Sequence, residues 1–287
     1  MPEPSFSLTV YIHWPQLSPY DKNPQYRRSV RQFEADAAMG ELPAYSFIEP
    51  RITQYFTDDN DPALAPNDQH PEQDVRYGEN LINRIYSAIL NSPLRNRTLL
   101  VITYDEHGGM YDHVVPPIQV PAPPPPQPLP PPSQALPITP PDPPPFDFTR
   151  LGVRVPAVIV SPYIPAGTVY HPSTGWVDHT AIIKTLTTRW NLQSLGPRDA
   201  AAPDLSELLT LEQPRTDLPQ PQSWPNLPPD ERPLDQIPAN DLQRDFVQLV
   251  ARAHGLPSPG PVRTVADVIN FFAFVTKQRS ALLPCPE

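Results

Sequence analysis

Between Pro116 and Pro145 the chain places 17 prolines in 30 residues. No other feature narrows the possible folds as much. Proline lacks a backbone N–H and has a fixed φ, so this stretch can neither propagate a helix nor join a sheet ladder. The expectation is a polyproline-type excursion on the surface, inserted into a fold built from the segments around it. A second stretch rich in proline and charge, Gln213 to Pro238, reads as loop or linker.

The remaining segments carry regular patterns. Asp74 to Leu90 sets Val75, Leu81, Ile82, Ile85, Tyr86, Ile89 and Leu90 at helical spacing, with Asp74 as N-cap and Ser92-Pro93 as stop. Thr98-Leu99-Leu100-Val101-Ile102-Thr103 is a short apolar run rich in β-branched residues and reads as a buried strand. Val155 to Ser161 reads as another. Asp178 to Trp190 predicts a helix with Ile182, Ile183, Leu186 and Trp190 on one face. Apolar strands alternating with helices predict an α/β fold with a parallel sheet covered on both faces. Ala239 to Ala253 and Thr264 to Leu283 predict two more helices. Phe246, Leu249 and Val250 line the first, and Val265, Val268, Ile269, Phe272 and Val275 line the second. The expected organisation is a domain over residues 1–212 with the proline insertion at 116–145, a linker at 213–238, and a helical appendage at 239–287.

A formal net charge of -10 argues against a general binder of nucleic acid or anionic membrane, which attract Lys/Arg excess. It leaves a phosphate substrate open, because a bound cation inverts the local charge. Cys285 is the single cysteine, so neither an intrachain disulfide nor a thiolate metal cluster is available. The longest apolar runs fall short of the roughly 20 residues of a membrane helix. Met1-Pro2-Glu3-Pro4-Ser5 shows no basic region before an apolar core, so no secretory signal is read there.

The chemistry concentrates after the strand at 98–103. Asp105, Glu106, His107, Asp112 and His113 put three carboxylates and two imidazoles into nine residues, with Gly108-Gly109 between them. Ligands of open α/β sheets bind beyond the carboxyl ends of strands. Adjacent carboxylates repel unless a cation lies between them, and paired glycines allow a sharp turn. Metal or catalytic use and a solvated acidic loop both fit this spacing. His70, before the Asp74 helix, and His179, after Asp178 at the next helix start, fit either catalysis or helix entry. His13, His171 and His254 read as surface. No P-loop, Rossmann fingerprint or Gly-x-Ser-x-Gly elbow occurs.

Asp105-Glu106-His107-Gly108-Gly109-Met110-Tyr111-Asp112-His113-Val114 resembles the signature of a phosphoesterase family that contains bacterial and plant non-specific phospholipases C and bacterial acid phosphatases. Four further blocks resemble that family in the same order. They are Leu42 to Arg51, Asp68-Gln69-His70-Pro71 through Asp74-Val75 and Gly78, Gly152-Val153-Arg154-Val155-Pro156 through Ser161-Pro162-Tyr163, and Asp178-His179-Thr180 with Arg198-Asp199. The resemblance implies an alkaline-phosphatase-like α/β fold with a mostly parallel sheet, and metal-assisted phosphoester hydrolysis. It makes Asp105 and Glu106 ligands of a divalent metal ion of unspecified identity. It places His70 and His179 near the phosphoryl group, as catalytic residues with Asp105 and Glu106. Arg154 and His113 become candidates for substrate binding. For Arg154 a structural ion pair is the alternative, and for Asp112 and His113 it is a role in shaping the loop. His107 is the weaker candidate, since the family tolerates Asn there. In that superfamily a Ser or Thr takes the phosphoryl group first, a metal neutralises its oxygens, and a histidine protonates the departing alcohol.

The family's opening Glu-Asn-Arg-Ser-Phe-Asp-His block and its Thr-x-Pro-Asn-Arg block do not occur in this sequence. Glu79-Asn80 falls inside a predicted helix, and Asn96-Arg97 lacks the proline. The expectation is therefore the C-terminal part of the domain, without half of the metal ligands and without the nucleophile, weak or inactive alone. Two other readings remain open here: a non-catalytic metal- or phosphate-binding remnant, and an interaction protein whose Pro-x-x-Pro runs engage SH3- or WW-type grooves.

Overall fold

The structure, a computed structural model, describes residue 26 and residues 28–52, 65–124, 146–222, 232–253, 255–257 and 259–282. The readings of His13, His254 and Cys285 lie outside these residues, as does residues 125–145 of the proline stretch. The chain groups into two compact units, residues 1–92 with 221–287, and residues 93–220.

In the first unit, helix α1 spans Val30–Met39. Ser29 caps it by accepting from the Gln32 amide at 3.1 Å, and Gly40 ends it at a left-handed φ of 73°. Phe33 and Ala37, four residues apart, are buried together with Asp36, whose carboxylate accepts from Gln32 Nε2 at 2.8 Å. Helix α2 spans Val75–Leu90, with Asp74 as the expected N-cap, accepting from the Arg76 amide at 3.0 Å. It buries Leu81 and Ile85. Arg84 on α2 donates to both carboxylate oxygens of Glu34 on α1, at 2.8 and 3.0 Å.

Later in the chain but in the same unit come α5, Asp241–Ala253, and α6, Val265–Leu282. A reciprocal cap opens α5: Asn240 Oδ1 accepts from the Gln243 amide at 2.8 Å and Gln243 Oε1 accepts from the Asn240 amide at 3.1 Å. Thr264 and Asp267 exchange the same kind of bonds at the start of α6. Val247, Val250, Val268, Phe272 and Val275 form the core between these helices, and Ile52 and Phe246 pack against it. Each fully buried side chain of this kind contributes about 1.5–3 kcal/mol. Val247, not Leu249, completes the α5 face, and Leu249 is 42% exposed.

In the second unit, β1 is Leu100–Thr103 and β2 is Ala157–Val160. They pair antiparallel, Leu100 opposite Val160 and Thr103 opposite Ala157. This corrects the expected parallel sheet for the described residues. An apolar run reports burial and carries no information on strand direction. A parallel neighbour requires a crossover, usually helical, whereas the described parts of this connection, 104–124 and 146–156, hold no helix. Among the described residues the sheet is also not covered on both faces, since Val158 is 54% exposed.

Beyond β2, α3 spans Thr180–Trp190 and ends at Asn191, which adopts a left-handed φ of 51°. It packs against the short helix α4, Pro197–Ala201, and the 3-10 turn Leu205–Leu208. Thr185 Oγ1 accepts from the Leu205 amide at 2.9 Å. Ala181, Leu205 and Leu208 are buried, but Trp190, assigned to the same face by spacing, is exposed. The two sides of the proline excursion meet here. Val120 donates to the Thr149 carbonyl and Leu151 to the Pro117 carbonyl, each at 2.9 Å. Pro124 lies so close to Gly196 that a Cβ there would sit 2.4 Å from its Cδ.

Candidate active site

The loop after β1 is shaped by its own carboxylates. Asp105 Oδ1 accepts from the Glu106 amide at 3.0 Å, and Glu106 Oε2 accepts from the Gly108 amide at 2.7 Å. Gly108 and Gly109 then take left-handed φ values of 61° and 74°, which residues with a side chain rarely adopt. The Met110 amide donates back to the His107 carbonyl at 3.0 Å, and the His107 ring donates through Nδ1 to the Met110 carbonyl at 3.0 Å. His107 is therefore used in closing the turn. Asp105, Glu106 and His107 are all exposed at this turn.

Asp112 anchors the return of the loop. Arg154, shortly before β2, grips it bidentately, with Nε to Oδ2 at 2.5 Å and the second nitrogen to Oδ1 at 3.0 Å. Those bonds, more than any other contact, hold the Asp112 carboxyl down at a pKa of about 2. The Arg154 guanidinium is thus engaged by Asp112, the geometry of the structural ion pair. His113 places Nδ1 3.3 Å from Asp112 Oδ1 and leaves its side chain 90% exposed.

His179 reaches the same turn. Its Nε2 lies 2.6 Å from the carbonyl oxygen of Tyr104, the residue immediately before Asp105. A carbonyl can only accept, so Nε2 carries the proton. The backbone of His179 is held by its neighbour: Asp178 Oδ1 accepts from the Thr180 amide at 2.9 Å and from the Thr180 hydroxyl at 2.5 Å. The other Asp178 oxygen pairs with Arg198 at 3.0 Å. Residue types pointed to Asp105, Glu106, Asp112 and His179, and these share one unit. They did not point to the Tyr104 carbonyl, nor to a role for Arg198. A capping role for Asp178 was legible in its place before a helix.

His70 belongs to the other unit. The half-buried ring donates from Nδ1 to the Pro71 carbonyl at 2.9 Å. Gln69, before it, has a φ of 60° and extends Nε2 to the Val75 carbonyl and Glu79 Oε1, both at 3.0 Å. That arm passes over Gly78, where a Cβ would come within 2.2 Å of Gln69 Cγ.

Asp105 and Glu106 offer hard oxygen donors, the type that Mg²⁺, Ca²⁺ and Mn²⁺ prefer. Among the described residues no group of three His, Cys, Asp or Glu is placed to hold a metal ion. Two carboxylates suit such a cation by chemistry but do not complete its shell. Among the described residues, no helix is long and apolar enough to cross a membrane.

The Phosphoesterase family model matches residues 8–193. The chain is 40% identical over 235 residues to the non-specific phospholipase C6 of Arabidopsis thaliana, covering 78% of this chain and 41% of that protein. It is 33% identical over 267 residues to non-specific phospholipase C4 of the same plant, 88% of this chain and 46% of that one. Phospholipase C B of Mycobacterium tuberculosis (strain ATCC 25618 / H37Rv) is 27% identical over 206 residues, 68% of this chain and 36% of that protein. The chain thus spans less than half the length of these relatives.

Proposed function

Because this chain belongs to the Phosphoesterase family, we propose that it carries part of a phosphoric-ester hydrolase site of the phospholipase C type, acting on phospholipid. The observation that carries the reading is the hydrogen bond from His179 to the Tyr104 carbonyl, which brings an imidazole to the turn that begins with Asp105 and Glu106. In this reading His179 donates the proton that the departing alcohol needs. Asp105 and Glu106 contribute oxygen ligands to a divalent cation, which when bound supplies neutralising charge to the phosphoryl oxygens. By resemblance His70 is a further catalytic residue; its Nδ1–H is spent on the Pro71 carbonyl, so Nε2 is the nitrogen left for chemistry. Arg154 and His113 support the loop through Asp112. The nucleophile is assigned to no residue of this chain, so turnover by the chain alone is weak.

The test is release of phosphocholine from phosphatidylcholine, with p-nitrophenyl phosphate as the soluble-ester arm, in Mn²⁺ or Ca²⁺. Slow metal-dependent release, lost in Asp105→Asn and in His179→Ala, is the expected result. A background rate shared by wild type and both variants would sink the hydrolase reading.

A second reading is a metal- or phosphate-binding remnant, in which Asp105 and Glu106, adjacent and exposed at the turn, keep oxygen donors without turnover. Calorimetric titration of Mn²⁺ separates the two. Heat that disappears in the Asp105→Ala/Glu106→Ala double variant, without turnover, supports the remnant. No heat and no turnover would remove both readings.

A further inference from the structure

We infer that Arg198 is a positioning residue for His179, fixing its ring so that Nε2–H is spent on the Tyr104 carbonyl and Nδ1 is the working nitrogen. The inference rests on the hydrolase reading for the use of His179, but its geometry stands on separate contacts. Arg198 is 8% exposed, on a five-residue helix whose next residue, Asp199, is 3% exposed. A buried guanidinium must find partners. Arg198 has two: it pairs with Asp178 Oδ2 at 3.0 Å, and it donates through its other terminal nitrogen to the Phe148 carbonyl. Among the described residues its buried Nε has no hydrogen-bond partner, so the guanidinium is held through its two terminal nitrogens. The side chains of the ion pair are 10% and 14% exposed, which shields them from the screening that weakens surface pairs.

Asp178 uses its two oxygens in opposite directions. One faces Arg198, and the other accepts from the amide and hydroxyl of Thr180. The carbonyl of Asp178 accepts from the Ala181 amide at 3.0 Å, which starts the first turn of α3. His179 sits between these bonds with φ of -58° and ψ of -24°. Its backbone has little freedom as long as the Asp178 carboxylate stays where Arg198 holds it. From that backbone the ring reaches Tyr104. Arg198 also ties in the far side of the excursion, because Phe148 has a left-handed φ of 59° and presents its carbonyl to the guanidinium. Asp147 supports that turn by accepting from the Thr149 amide at 2.9 Å.

A ring with Nε2–H donated to a backbone carbonyl keeps its lone pair, or its second proton when charged, on Nδ1. Nδ1 is then the atom that can give a proton to a leaving alcohol.

The experiment reads the His179 ring directly, by ¹H–¹⁵N correlation of the imidazole nitrogens in the full chain at a pH where imidazoles are neutral. The expected wild-type pattern is a protonated Nε2 and an unprotonated Nδ1, with Hε2 protected from exchange with water. In Arg198→Met, Hε2 exchange should rise at least about tenfold, the effect of losing one modest restraint. Arg198→Lys keeps the charge for Asp178 but cannot also span to Phe148, and should give an intermediate rate. The amides of Leu186 and Thr187, deeper in α3, serve as reference and should keep their wild-type rates. A rise shared equally by those amides would mean general loosening and would overturn the positioning role. So would a protonated Nδ1 in wild type, or Hε2 exchange unchanged in Arg198→Lys and in a folded Arg198→Met. Should Arg198→Met not fold, the Lys variant decides. Absence of turnover tests the hydrolase reading and leaves this measurement intact.

Discussion

The α5–α6 pair and the Asp105–Val114 loop are built by opposite means. Between the helices, Val247, Val250 and Val268 are fully buried, and Phe272 and Val275 nearly so. Position there is decided by apolar packing. In the loop, Met110 is 65% and Tyr111 101% exposed, and the backbone is held by bonds from its own carboxylates and by two left-handed glycines. Packing decides little there. The difference separates two jobs: stability is concentrated in buried aliphatic contacts, and the candidate chemistry sits on a locally encoded turn that the rest of the unit has only to carry.

The sharpest way to break that contrast is Phe272→Ala. The side chain is 3% exposed within the α5–α6 core. Truncating a buried Phe costs about 3–5 kcal/mol through lost transfer energy and the cavity left behind. Urea denaturation of the full chain should show a loss of that size. A loss under about 1 kcal/mol would mean that the core collapses around the gap, against the usual behaviour of close-packed interiors.

Gly78→Ala probes a place where the two principles meet. Within a helix, Ala is favoured over Gly by about 1 kcal/mol. Here the new Cβ would lie 2.2 Å from Gln69 Cγ and 2.6 Å from its Cδ. Overpacking of that kind costs about 1–3 kcal/mol. Gln69 is tied to Val75 and Glu79, so it cannot swing away without losing those bonds. The expected net effect is a loss of about 1 kcal/mol. A gain in the thermal midpoint would show that the Gln69 arm, and the His70 loop it precedes, moves aside freely.

The same contrast explains what could be read in the sequence. Helix α2 was legible because a capping Asp, a repeating apolar stripe and a following Ser-Pro all agreed. Helix α1 carries a similar grammar in Ser29, Phe33, Ala37 and Gly40, and was missed because only two apolar positions mark its face. Spacing put Leu249 and Trp190 on core faces that they leave, since the 3.6-residue period says which residues are neighbours and not which edge of the stripe meets a partner. Strand direction was illegible for the reason given by the connection: nothing in an apolar run encodes it. At the site, carboxylates and imidazoles announced Asp105, Glu106, Asp112 and His179 by type. The Tyr104 carbonyl carries no residue-type signal, and the Asp178–Arg198 pair spans 20 residues across the α3–α4 turn.

The Asp112–Arg154 pair gives a pH test of how the loop is fastened. With its pKa lowered to about 2, chiefly by hydrogen bonds from Arg154, Asp112 favours the folded state in its ionised form. That contribution is fully present above the unfolded carboxyl value, near 4. It fades as pH falls from there through about 2. Arg154→Met should therefore flatten the acid limb of stability between these values while leaving the shape of the curve above it unchanged. Parallel acid limbs for the two proteins would show that the pair contributes nothing to fastening the loop.

Asp105→Asn should have the smallest effect on folding and, under the hydrolase reading, the largest on chemistry. The side chain is exposed, and the Asn carbonyl oxygen can still accept from the Glu106 amide as Asp105 does. Substitutions at such positions usually change stability by less than about 0.5 kcal/mol. The charge that a cation or a phosphoryl group would sense is nevertheless gone. Matched denaturation curves together with loss of Mn²⁺ binding heat would place the function of this residue entirely outside folding. A clear drop in the denaturation midpoint would instead make Asp105 a structural turn residue, and the loop would then be held by the same groups it was supposed to offer to a ligand.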